Sequence, residues 1–345
     1  MLSLHEQEQH RSVSAPLRVA AAGLTRAGLF HLESFALRRE FSLVAVAGTD
    51  AVNVDGCRQV PLSELVSMEL DLAVIATAVP MRSRVACEFL SAGTNVLIES
   101  GFEIDETGAL ENCLKVAQAK GLYCGLWQPE LYEQDYRAAK SVVDAGDCGA
   151  VRSVRLLQHN LTAGLRSREP VARSVVDMPV TGARAVVRRR VSQLLNLCAG
   201  PVSSAWIEAR HAAGTLSGNQ VDDDAADPAA ESGSPHATAV TVHVQFVSGA
   251  TALIDVDVAS SSSINTGWIL QTISGGYHNG HQSQVESDGE VYLVPCESAE
   301  ADAYAWLAEI LNSSPSERVQ ESEKSVQSEV RTARLLDIVR CLPET

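Results

Sequence analysis

The sequence predicts an α/β fold: an N-terminal doubly wound parallel sheet, followed by an α+β domain with a large, mainly antiparallel open sheet. Three observations carry this prediction. Short, wholly apolar runs alternate with longer amphipathic ones over residues 17–145, the order of a parallel sheet whose strands are buried on both faces by helices. A glycine-bearing turn, GLTRAG, joins the first apolar run to the first helical one. From Val151 the pattern changes to longer alternating runs, which suit an antiparallel sheet with one face covered.

The first strand is read at Leu17 to Ala22, and the helical spacing that follows Gly23 places Leu24, Ala27, Leu29, Phe30, Leu32, Phe35 and Leu37 in a helix. In this strand–turn–helix the unpaired N–H groups of the helix start and the positive end of its dipole favour a phosphate or pyrophosphate. That makes the opening a Rossmann-type dinucleotide site, with Gly23 serving the tight turn and Gly28 close helix-on-strand packing. The middle glycine of the usual G-x-G-x-x-G is Thr25, which narrows access to the backbone. The second strand, Leu43 to Ala47, is followed by Gly48 and Thr49, with Asp50 two places beyond the usual ribose-binding acid. Asp50 can reach a ribose, or the small Gly48-Thr49 pair can leave room for a 2′-phosphate, so NAD and NADP both stay open.

Further along, strands are predicted at Leu72 to Thr77, Asn95 to Glu99 and Leu122 to Leu126, and helices at Arg82 to Ser91, Asp105 to Lys120 and Glu133 to Ala145. The resulting division is expected to be a mobile tail over 1–16, a dinucleotide-binding domain over 17–145 and a substrate and oligomerisation domain over 146–345. In the latter, strands are expected at Val151 to Leu157, Ser204 to His211, Ala237 to Val247, Thr251 to Ala259, Trp268 to Ser274 and Glu290 to Val294, with helices at Gly182 to Leu197, Ala301 to Leu311 and Glu321 to Cys341. The last two helices can pack back on the first domain. Residues 212–236, rich in Asp, Gly, Ser and Pro, read as a flexible acidic insertion.

Composition narrows the partners. A net charge of −16 over 345 residues argues against nucleic acid and anionic membranes as main partners. No stretch has the length of a membrane span or a signal peptide, and the eight cysteines are scattered without C-x-x-C spacing, as for reduced thiols in the cytoplasm. No metal site is expected. The consecutive Asp222, Asp223 and Asp224 lack the alternation of a calcium loop, and His278 and His281 lie in a glycine-rich segment, GGYHNGHQSQ, read as a polar turn between strands.

The order AGLTRAGLFHLESF, LVAVAGTD, DLAVIATAVP, AGTNVLIES and YRAAKSVVDAGDCGAVRSVRL, from Leu17 to about Leu161, resembles the Gfo/Idh/MocA family of glucose-fructose oxidoreductase and inositol dehydrogenase. The resemblance implies hydride transfer between NAD(P) and a sugar-like or polyol-like small molecule, in a homodimer or homotetramer formed through the C-terminal sheet. It implies a cofactor shelf from Gly23, Thr25, Arg26, Ala27, Gly28, Gly48 and Asp50, continued by Ala76, Thr77, Ala78, Glu99 and Gln128. Here the chain departs from the family. Its Glu-Lys-Pro motif is Glu99-Ser100-Gly101, which removes the lysine aimed at the reacting hydroxyl. The segment after the sixth strand is Gln128-Pro129-Glu130-Leu131-Tyr132, without the family's arginine.

The resemblance implies a catalytic Asp and His on a helix before a Gly-Pro turn, here Gly182 to Leu197 ahead of Gly200-Pro201; the histidine position then falls at about Arg189 or Arg190, and no histidine occurs between His159 and His211. All four lysines, Lys115, Lys120, Lys140 and Lys324, sit on predicted helices. Alcohol oxidation needs a base and a cation for the developing alkoxide. Ser100 supplies a hydrogen bond without charge, and arginine supplies charge without basicity. Arginines 188 to 190 read first as a solvated helix face. Two functions are therefore expected: an oxidoreductase with an unidentified proton-handling group, or a catalytically degenerate member acting as sensor, scaffold or partner subunit.

Overall fold

The protein is seen here as a computed structural model, which describes residues 15–48, 57–146, 149–159, 183–198, 200–210, 239–257, 267–279, 283–287, 290–293 and 303–340. The chain divides into two compact units, one of residues 1–127 and 302–329, the other of residues 128–301 and 330–345.

In the first unit, β1 (Leu17–Ala22), β2 (Phe41–Ala47), β3 (Arg58–Gln59), β4 (Leu72–Ile75), β5 (Asn95–Glu99) and β6 (Cys124–Trp127) form one parallel sheet in the order β3-β2-β1-β4-β5-β6. Residues Val19 to Ala22, all of β4 and all of β6 are buried, as uninterrupted apolar strands must be when helices cover both faces. Helices α1 (Arg26–Ala36), α2 (Leu62–Val66), α3 (Val79–Ala92) and α4 (Thr107–Lys120) make the crossovers, and α7 (Ala303–Leu311) and the first part of α8 (Pro315–Arg340) join the same unit. The strand order reverses between β1 and β4, the switch point at which open α/β sheets bind ligands beyond their strand ends.

In the second unit, β7 (Val151–His159), β8 (Val202–Arg210), β9 (Ala239–Phe246), β10 (Thr251–Asp257), β11 (Gly267–Thr272), β12 (Gly275–Asn279), β13 (Ser283–Ser287) and β14 (Glu290–Leu293) form an eight-stranded sheet, β14-β13-β12-β11-β7-β10-β9-β8. Among the described residues of this sheet, only β7 and β10 pair in parallel. Alternate residues Val154 and Leu156, Val240, Val242 and Val244, Ile254 and Val256, and Trp268 and Leu270 face one core, closed by α5 (Gln134–Ala145), α6 (Ala183–Leu197) and Leu335 of α8. The opposite face exposes Trp206, stacked on His243 at 4.6 Å between ring centroids, and Ile269.

Two expectations are corrected. The glycine-rich segment with His278 is not a polar turn, because Gly275–Asn279 and Ser283–Ser287 are paired strands, with His278 opposite Ile269 and Gln284. Glycines 275 and 276 disguise a strand that is held by its neighbours on both sides rather than by β propensity. Arginines 188 to 190 are not a solvated face, since Arg190 is buried and Arg188 and Arg189 are half-buried. The tail over 1–14, the insertion 212–236 with Asp222 to Asp224, Asp50, His211 and His281 lie outside the described residues. No helix among the described residues is long and apolar enough to cross a membrane.

Candidate functional site

The candidate shelf lies where β1 ends and α1 begins. Gly23 takes φ +104°, and a Cβ there would stand 2.3 Å from the Ala76 carbonyl oxygen, so both backbone conformation and space exclude any other residue. Gly28 meets the same limit from the other side, with its Cβ position 2.3 Å from Gly23 O. Thr25, the residue in place of the middle glycine, caps the helix: its hydroxyl accepts from Gly28 N–H at 3.3 Å and donates to Ala76 O at 3.0 Å. The N–H groups of Arg26 and Ala27 remain at the helix end, without intrahelical partners, as donors for an anion.

Gly48 follows β2, and the room its missing side chain leaves is filled by Leu24, whose Cγ lies 2.4 Å from the Cβ position. Its smallness is thus accounted for by helix packing before any ribose is invoked. At the end of β4, Ala76 is buried, and the Thr77 hydroxyl is buried with no hydrogen-bond partner among the described residues. Such an orphan is costly unless something pairs with it. Ala78 begins α3.

The turn after β5 is built differently from a Glu-Lys-Pro turn. Gly101 takes φ +108°, a conformation closed to proline, whose ring fixes φ near −65°. The N–H groups of Gly101 and Phe102 both donate to Glu329 Oε1 at 2.9 Å, so a buried carboxylate of α8 holds the turn. Arg82 of α3 fastens this turn to the neighbouring one, donating from Nε to Thr77 O at 3.0 Å and from Nη1 to Glu99 O at 3.1 Å and Ser100 O at 2.5 Å.

Glu99 itself turns into the core, its Oε1 2.6 Å from His31 Nε2. The other ring nitrogen of His31 is 2.8 Å from the Tyr304 hydroxyl, and Trp127 packs edge-on against the imidazole at 4.9 Å. All four are buried, so the acid that the resemblance aligns with a cofactor residue serves here as one end of a closed Glu99–His31–Tyr304 chain. His31 was legible in principle, as a lone polar residue inside the apolar stripe of α1; Tyr304 lies far along the chain in an apolar helix that says nothing of its partner.

In the second unit, Arg190 occupies the position assigned to the histidine. Its Nη1 donates to Glu133 Oε2 at 2.5 Å and to Gln193 Oε1 at 2.6 Å, and its Nε donates to Gln158. Gln193 in turn donates to Glu133 Oε2 at 3.0 Å and to Glu130 O at 2.5 Å. This guanidinium is neutralised inside the protein. Beside it, burial pushes the Asp135 carboxyl above the usual range, against the lowering pull of Arg190. Gln128 is buried in this unit, its Nε2 3.5 Å from Ser192 Oγ.

No group of histidine, cysteine or acidic side chains among the described residues is arranged to hold a metal ion. No family model matches the sequence. No curated protein matches it either. Solved structures do. A biliverdin reductase from Synechocystis sp. PCC 6803, in complex with biliverdin and NADP+, superposes with a TM-score of 0.61 at 17% identity, over 94% of this chain and 98% of that one. The fold is the two-domain Gfo/Idh fold. The same Gfo/Idh fold appears in a UDP-N-acetylglucosamine 3-dehydrogenase from Acidithiobacillus ferrooxidans, with a TM-score of 0.59 at 17% identity over 93% and 99% of the two chains. It appears again in a lysine-to-alanine variant of a 3-ketoreductase from Actinomadura kijaniata, in complex with TDP-benzene and NADP, with a TM-score of 0.61 at 14% identity over 94% and 97%.

Proposed function

We propose that the first unit binds NAD(P), and that the chain holds this dinucleotide without the lysine–histidine pair with which hydride-transferring proteins of the Gfo/Idh fold handle protons. The observation that carries the reading is the glycine turn at the switch point: Gly23 at φ +104° against Ala76, with Thr25 capping α1 and the Arg26 and Ala27 N–H groups left at the helix end. In this reading those N–H groups hold the pyrophosphate, and the unpaired Thr77 hydroxyl takes a hydrogen bond from or gives one to the ribose or nicotinamide portion. Two of the solved structures of this fold contain NADP+ or NADP, which supports the same ligand class here. The bound nicotinamide would supply a hydride donor or acceptor.

What the chain adds is limited on the proton side. Ser100 offers a neutral hydroxyl on a turn that proline cannot adopt, and Arg190 is satisfied by Glu133. Neither is a base at neutral pH. These two features favour a ligand-responsive or partner-forming role over turnover of a sugar or polyol.

Fluorescence titration tests the binding step, with Trp127 of the first unit as reporter. Quenching by micromolar NADP(H) or NAD(H) is expected, and no response to any of the four would reject the reading. Following the reduced nicotinamide absorbance over a panel of polyols, aldoses and nucleotide sugars tests the second step. Rapid turnover of any of them would return the chain to the dehydrogenases.

A further inference from the structure

Outside the shelf, the first unit brings two thiols together that the sequence keeps far apart. Cys87 on α3 and Cys113 on α4 lie 26 residues apart in sequence, with their sulfurs 2.8 Å apart. A disulfide closes at about 2.05 Å, so the two sulfurs need to approach by only about 0.8 Å. The two differ in access: Cys87 is partly buried, whereas Cys113 is fully buried and also donates from Sγ to the Ser83 carbonyl at 3.1 Å. Burial, followed by the hydrogen bond with Cys87 and the nearby Cys124, pushes the Cys113 thiol far above its ordinary range, and burial raises Cys124 to about 12. Among the three, Cys87 alone is not fully buried.

We infer that Cys87 and Cys113 form a reversible thiol–disulfide exchange site, oxidised by a small-molecule disulfide of the glutathione class. The Cys87 thiol gives up its proton and its sulfur attacks one sulfur of oxidised glutathione, forming a mixed disulfide and releasing one glutathione, which takes up that proton as a thiol. The Cys113 sulfur then attacks the Cys87 sulfur, the Cys113 proton passes to the second departing glutathione, and the bond between α3 and α4 is made. Two protein thiols are oxidised and one glutathione disulfide is reduced to two thiols. Cys87 is thus the entry thiol and Cys113 the resolving one, a division of labour set by their exposure. The inference is independent of dinucleotide binding.

The test uses the full chain, incubated natively with oxidised glutathione, alkylated, digested without reductant and mapped by mass spectrometry. A peptide pair joined through Cys87 and Cys113 is expected, disappearing on treatment with dithiothreitol. Cys113→Ala should instead retain glutathione on Cys87, and Cys87→Ser should leave Cys113 unmodified until the chain is unfolded. If the unsubstituted protein carries a stable glutathione adduct on Cys87, or yields both cysteines fully alkylated, the exchange site does not exist. That map decides the matter even if Cys113→Ala fails to fold.

Discussion

Arg190 Nη1 stands 2.5 Å from Glu133 Oε2, and both side chains are buried. A buried pair of this kind is not strong evidence of stabilisation, because desolvation offsets much of the attraction; breaking it from one side, however, leaves a bare charge. Arg190→Ala should therefore destabilise the protein by about 3–5 kcal/mol, read as a fall in the urea midpoint. Arg190→Met combined with Glu133→Leu should recover most of the loss. A midpoint unmoved by Arg190→Ala would mean that Glu133 finds water or another donor.

Gly23→Ala tests the shelf. The new methyl group meets Ala76 O at 2.3 Å, and φ +104° strains any L side chain by roughly 1–3 kcal/mol. The melting temperature should fall, and NADPH affinity should weaken by about tenfold or more, equivalent to roughly 1.4 kcal/mol per decade. Isothermal titration against the unsubstituted protein measures the second effect. Unchanged affinity would move the dinucleotide elsewhere.

How far the sequence reached follows from the kind of information each feature needs. Strand β5 is predicted at Asn95 to Glu99 and found there, because a buried parallel strand is written locally as an apolar run between turns. The shelf glycines were legible for the same reason: Gly23 and Gly28 answer to spacing within six residues. Strands β12 and β13 were hidden, since they carry glycine and polar residues and are held by pairing. The short β3 and α2 were missed as too brief to show a period.

The site chemistry was legible as substitution but not as consequence. That Ser100 replaces lysine is visible in the sequence; that Gly101 adopts φ +108°, held by Glu329 from a helix more than two hundred residues on, is not. Likewise the run of arginines on α6 looks solvated by composition. Only the fold shows that Glu133, Gln158 and Gln193, which come from three separate segments, close around Arg190.

Ser100→Lys follows from that difference. A simple restoration of the missing lysine would be expected to raise hydride transfer by about 10²–10⁴-fold if the surrounding geometry were that of the Glu-Lys-Pro turn. Here the backbone after Ser100 runs in the left-handed region and is fastened by Arg82 and Glu329, so the new ammonium leaves from a different turn. NAD(P)H binding should persist while no polyol or aldose activity appears. Adding Arg190→His should lower the melting temperature, because Glu133 loses its guanidinium, without creating turnover. Activity from Ser100→Lys alone would show that the turn conformation is immaterial.

Asp135 gives a pH dependence whose sign can be worked out. Its carboxyl titrates higher in the folded chain than in the unfolded one because burial disfavours the anion, only partly countered by Arg190. Between the ordinary aspartate value and the raised folded value the native state therefore binds more protons than the unfolded state. Stability falls as pH rises through that window, and the deficit persists at neutral pH. Asp135→Asn removes the ionisation and keeps an oxygen to accept the Tyr136 N–H, now at 2.8 Å from Asp135 Oδ1. The substituted protein should melt higher than the parent at pH 7, with the difference shrinking as the pH is lowered below the ordinary aspartate range. Paired melting curves from pH 3 to pH 8 measure it, and a difference that grows toward acid would reverse the assigned direction.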